Sequence, residues 1–149
     1  MTFKELQNEK IIAMKNKDSL TNKTLTLVIS SIKNSAIEKK CVDNIPENLV
    51  DEILLKELKA ARESVNSCPP DRIKLLGEYT TRCLILEKYA PKLITDKEEI
   101  KKFFIKLSEE NCIPLIKKNK GRFMKIISTE YKNKFEMRII NEVSREILQ

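Results

Sequence analysis

A chain of 149 residues with 41% hydrophobic and 34% charged side chains, a formal net charge of +7 and only two glycines and five prolines has room for one or two small domains with an ordinary core. So few chain breakers among so many Lys, Glu, Ile and Leu favour helices over sheets. The lack of any histidine removes the commonest general acid–base and both Ser-His and Cys-His nucleophile pairs, and Gly77 and Gly121 cannot by themselves build a phosphate-cradling loop.

In chain order, Phe3, Leu6, Ala13 and Met14 share a helical face and predict a first helix to about Lys15, closed by a polar break at Asn16–Ser19. A second helix is predicted over about Leu20–Lys39 with Leu20, Leu27, Val28 and Ile32 inward. Ser31 and Ser35 lie on that face, where small side chains admit a neighbouring helix; the alternative is that the two hydroxyls serve a ligand. Cys41–Ile45 reads as a linker. Pro46 suits the first position of a third helix, and Glu47 and Asp51 carry the charge a helix start favours. That helix is expected to reach about Val65 and to bury Leu49, Val50, Ile53, Leu54, Leu58, Ala61 and Val65. Glu57 falls within this apolar stripe. A carboxylate there needs a partner, and an internal ion pair, with Arg82 as the candidate, is favoured over a functional acid.

Cys68-Pro69-Pro70-Asp71 ends the third helix. A fourth is predicted over about Arg72–Tyr89, with Leu76, Tyr79, Cys83, Leu86 and Ala90 on one face and Pro91 as its stop. Thr95-Asp96-Lys97-Glu98 reads as a capping box with Thr95 at N-cap. Ile100, Phe103, Phe104 and Leu107 follow on one stripe of a fifth helix, which opens a second domain. Asn111 and Pro114 bracket its end. A sixth helix is expected from Leu115 or Asn119 to Tyr131. A seventh covers about Phe135–Leu148, with Met137, Ile140, Val143, Ile147 and Leu148 inward. The expected fold class is therefore all-α, with about four helices in 1–93 and three in 94–149.

Cys41, Cys68, Cys83 and Cys112 contain no close pair and read as reduced apolar residues rather than a zinc site or a disulfide framework. No metal or cofactor is expected. Met1–Asn8 has Lys4 and Glu5 and no apolar stretch, so no signal peptide is expected. No run approaches the ~18 apolar residues of a membrane span, and a cytoplasmic monomer is the expectation. The acidic pairs Asp51-Glu52, Glu98-Glu99 and Glu109-Glu110 are adjacent, so on a helix they do not face each other and read as solvated.

The positive charge is unevenly spread. Residues 114–135 hold seven basic side chains, Lys117, Lys118, Lys120, Arg122, Lys125, Lys132 and Lys134, against Glu130 alone. On one continuous helix Lys118, Arg122, Lys125 and Lys132 would form a ridge of roughly 21 Å at 1.5 Å per residue, with Phe123, Ile127 and Tyr131 on the core side. Lysines near a helix start oppose the dipole but suit an anion. The bland alternative is a lysine-rich exposed surface without a ligand.

Several segments, in order, resemble the YqeY (GatB/YqeY) family over nearly the whole length. They are Phe3-x-x-Leu6 with Met14-Lys15-Asn16-Lys17-Asp18; Leu27-Val28-Ile29-Ser30-Ser31-Ile32-Lys33-Asn34; Leu58-Lys59-Ala60-Ala61-Arg62-Glu63-Ser64; Leu86-Glu87-Lys88-Tyr89-x-Pro91-x-Leu93; and Gly121-Arg122-Phe123-Met124-Lys125. The resemblance implies an all-helical N-terminal domain and a C-terminal three-helix domain similar to the tail of the B subunit of glutamine-dependent aspartyl/glutamyl-tRNA amidotransferases, a tail associated with tRNA. The amidotransferase's catalytic machinery lies in other domains. One departure is the turn before the last helix, where the family usually has Gly-x-x-Asp-Gly and this chain has Tyr131-Lys132-Asn133-Lys134-Phe135-Glu136. Asn133 can take the turn conformation, though less freely than glycine.

The leading functional expectation is a non-catalytic accessory protein that contacts tRNA or another structured RNA, alone or beside a tRNA-dependent enzyme, through the seven cations at 117–134. The alternatives are a protein-interaction module without RNA, and a component of amidase-type C–N ligase chemistry whose polar candidates would be Glu57, Lys59 and Arg62.

Overall fold

A computed structural model describes residues 1–148 as an all-α chain. The helices are α1 (Phe3–Lys15), α2 (Ser19–Glu38), α3 (Glu47–Ser67), α4 (Ile73–Tyr89), α5 (Lys97–Asn111), α6 (Lys120–Glu130) and α7 (Met137–Ile147), with a 3-10 turn at Lys117–Asn119 leading into α6. The chain divides into two compact units, Met1–Pro91 and Lys92–Gln149.

In the first unit, α1 pairs with α2 and α3 with α4, and α2 also lies against α3 and α4. Leu6, Leu25, Val28, Ile32, Leu54 and Leu86 are fully buried in the core these helices share. α1 starts on a complete capping box: Glu5 N–H donates to Thr2 Oγ1 at 3.2 Å and Thr2 N–H donates to Glu5 Oε2 at 2.7 Å. This Thr-x-x-Glu pattern was open to sequence reading. Asp18 caps α2 by accepting from Thr21 N–H at 3.1 Å, and hydrogen bonds from Thr21 hold its carboxyl below the usual range.

The inward face of α2 differs from expectation. Val28 and Ile32 are buried, but Leu20 and Leu27 are exposed, and Leu25, Ile29 and Ala36 take the inward places. The helix is apolar around much of its circumference, so periodicity alone does not choose the stripe; the neighbouring helices do. Met14 on α1 is likewise exposed at 57%. Pro46 is the N-cap of α3 rather than its first helical residue, and α3 buries the expected residues except Val65, which is half-buried.

Glu57 is partnered as its position requires. It accepts from Ser31 Oγ at 3.0 Å and pairs with Arg82 at 3.4 Å. Ser31 thus serves a carboxylate on the neighbouring helix. Tyr89, at the end of α4, donates from its hydroxyl to Glu9 Oε2 on α1 at 3.1 Å.

In the second unit, Ile100, Phe104 and Leu107 of α5, Phe123 and Ile127 of α6, and Ile140 and Val143 of α7 form a separate core. Phe104 meets Phe123 edge-on at 5.8 Å, and Phe103 packs against Tyr131 and Phe135 at 4.8 and 4.5 Å. The expected cap of α5 is corrected: the N-cap is Asp96, which accepts from Glu98 N–H at 2.9 Å. Ile94 is held in a parallel bridge to Phe135, donating to Lys134 O at 2.8 Å and accepting from Glu136 N–H at 3.3 Å. This pairing extends the backbone through Thr95 and moves the helix start one residue on. Met137 opens α7 facing solvent, 44% exposed, where an inward position was expected.

Candidate nucleic-acid interface

The seven cations stand on three local structures. Lys117 and Lys118 lie on the 3-10 turn, Lys120, Arg122 and Lys125 on α6, and Lys132 and Lys134 beyond the end of that helix. The single fourteen-residue ridge expected from helical spacing is therefore interrupted at both ends. The 3-10 turn winds more tightly than an α-helix, and α6 stops at Glu130.

A residue absent from the sequence-based site organises the first part. Asn119 is buried and donates from Nδ2 to Pro114 O at 3.0 Å, while its backbone N–H donates to Ile116 O at 2.9 Å. These bonds fold the segment from Pro114 onto itself and leave Lys117 and Lys118 exposed. An asparagine between lysines and five residues after a proline is a faint signal for such a staple, because Asn readily bonds nearby backbone.

On α6, Phe123 and Ile127 point into the core and fix the rotation of the helix. Gly121, Arg122, Lys125, Ser128 and Thr129 are consequently exposed together. Arg122 and Lys125 are three apart and therefore neighbours on the helix surface. Lys120 is half-buried. Among the described residues, Lys117, Lys118, Lys120, Arg122 and Lys125 enter no ion pair.

The turn after α6 takes the left-handed conformation at Asn133, with φ 63°, the conformation that the sequence allowed asparagine to adopt there in the absence of glycine. Lys134 holds its ammonium 5.2 Å from the centre of the Tyr131 ring. The bridge to Ile94 fixes the backbone on either side of Phe135.

The acids on α5 and α7 are largely engaged by cations of those same helices. Lys97 reaches Glu142 at 3.2 Å, Lys101 reaches Glu98 at 3.3 Å and Glu146 at 3.4 Å, and Arg138 reaches Glu142 at 3.6 Å. The hydrogen bond from Lys101 to Glu98 leads the causes that hold its ammonium pKa above the usual value. Exposed pairs of this kind contribute little to stability, but they balance charge within α5 and α7, and the excess of basic side chains lies at 114–135.

The polar residues considered for enzyme chemistry do not converge. Glu57 is bound to Ser31 and Arg82, Arg62 pairs with Glu87 at 3.1 Å, and Lys59 is exposed. The four cysteines are separate free thiols. Among the described residues no helix is long and apolar enough to cross a membrane.

A family model described as Yqey-like protein matches residues 3–148. The chain belongs to the YqeY family. The match runs through both compact units of this YqeY chain, including the 3-10 turn and α6. No curated protein matches it.

Proposed function

We propose that this YqeY chain is a non-catalytic, tRNA-directed accessory protein whose second unit contacts RNA phosphates. The two units would correspond to the family's helical N-terminal domain and to a C-terminal domain like the tail of the amidotransferase B subunit. One observation supports the reading: among the described residues the five cations between Lys117 and Lys125 enter no ion pair, while Glu98 and Glu110 of α5 and Glu142 and Glu146 of α7 pair with cations of those same two helices. A patch of one sign attracts a polyanion over long range and positions it through phosphates.

The test is binding of unfractionated tRNA by the full chain across a salt series. About four to six phosphate contacts give a log–log slope of roughly −3 to −5. Changing Lys118, Arg122 and Lys125 together to Glu is expected to abolish binding with helicity unchanged by circular dichroism. A flat salt response, or no binding at low salt, would falsify the proposal.

A further inference from the structure

We infer that the outward face of α6 takes the sugar-phosphate backbone of double-helical RNA in preference to single strands, with Gly121 as the point of closest approach; this rests on the RNA-binding reading above. Single-strand binders gain much of their affinity by stacking bases on aromatic rings. The chain has five Phe and three Tyr, and none is exposed. In the second unit they are committed to one another, Phe103 to Tyr131 and Phe135, and Phe104 to Phe123. Phe103 and Tyr131 are half-buried, so little ring surface is left for stacking; charge then decides, and a duplex presents more phosphates per unit length than a single strand.

The composition of the face fits a backbone approached closely. Gly121 has no positive φ, and a Cβ added there would meet nothing within 4 Å. Glycine weakens a helix relative to alanine, and packing within the chain gives no reason for it at this position. Gly77 on α4 is equally open, but the exposed large side chains on its face are Ile73, Lys74 and Leu84, one cation between two apolar residues, whereas Gly121 adjoins Arg122 and shares its face with Lys125. Ser128 and Thr129 complete the α6 face and donate their hydroxyl hydrogens to Lys125 O at 3.0 and 2.8 Å. Their lone pairs are left to accept from a ribose 2′-hydroxyl, the group that separates RNA from DNA.

The experiment displaces a labelled RNA duplex from the full-length protein with unlabelled duplex RNA, duplex DNA of the same sequence, and polyuridine of the same length. Duplex RNA is expected to compete about tenfold better than polyuridine, the difference shrinking as salt rises, and several-fold better than the DNA. Gly121→Ala is expected to raise the thermal midpoint yet weaken duplex binding several-fold, and Gly121→Leu to weaken it further. Equal competition by polyuridine or by the DNA overturns the inference, as does a Gly121→Ala protein that binds as the parent does. If tRNA still binds in those cases, the RNA reading survives; if no RNA binds at low salt, that reading fails as well.

Discussion

Tyr89 is buried as a residue and its hydroxyl donates to Glu9. Burial, then the hydrogen bond and charge of Glu9, push its pKa from 10.0 to about 12. The folded chain therefore keeps this proton where the unfolded chain has lost it. The stabilising effect is complete below about pH 10 and is lost as pH rises toward 12, by up to about 1.4 kcal/mol per pH unit. Urea midpoints measured from pH 9 to 11.5 are expected to fall less steeply for Tyr89→Phe than for the parent, with the comparison removing the shared lysine titration. Glu57→Ala leaves Ser31 and the half-buried Arg82 without their acceptor, at an expected cost of about 1–3 kcal/mol; Glu57→Gln, which keeps an acceptor for Ser31, is expected to lose less. The Glu57–Arg82 pair was legible because a carboxylate inside an apolar stripe demands a partner and few are in reach. Asn133 was legible because few side chains tolerate a left-handed turn. Asn119 was not, since its importance comes from a hydrogen bond to Pro114 that has no hydrophobic pattern.

Helix starts show where element-level reading holds and where it fails. Thr2 and Glu5 form a reciprocal box in α1, and Thr2→Ala is expected to cost about 1 kcal/mol by thermal denaturation. Thr95 was the expected cap of α5, yet Asp96 performs that role. Asp96→Ala is therefore expected to cost about 1 kcal/mol and Thr95→Ala less than about 0.5 kcal/mol; the reverse order would reject the assignment. Adjacent Thr and Asp are both competent caps, and the choice between them is made by Ile94, whose partner lies far along the chain. The helices themselves were readable because their apolar spacing, prolines and length leave little else to form. The rotation of α2 was not, because Leu20, Leu25, Leu27 and Ile29 are chemically alike and only the neighbouring helices distinguish them. The continuous helix expected beneath the basic segment is interrupted for a related reason: a run of lysines carries no signal for where a 3-10 turn gives way to an α-helix.

For the molecule as a whole, the location of charge matters more than its total. Lys97 and Lys101 are ion-paired with glutamates, whereas among the described residues Arg122 and Lys125 enter no ion pair. Replacing either pair with Gln removes the same charge. The first replacement is expected to change tRNA affinity by less than about twofold, and the second to reduce the magnitude of the log–log salt slope by about 2; equal effects would mean that net charge alone governs binding. The bridge between Ile94 and Phe135 has a practical consequence for dissecting the protein. A C-terminal fragment begun at the first residue of α5 would discard a strand-like partner of the lysine-bearing turn and expose two backbone groups, while one begun at Lys92 would retain both. Two fragments differing by five residues would thus present Lys134 in different surroundings, and amide exchange at Glu136 would distinguish them.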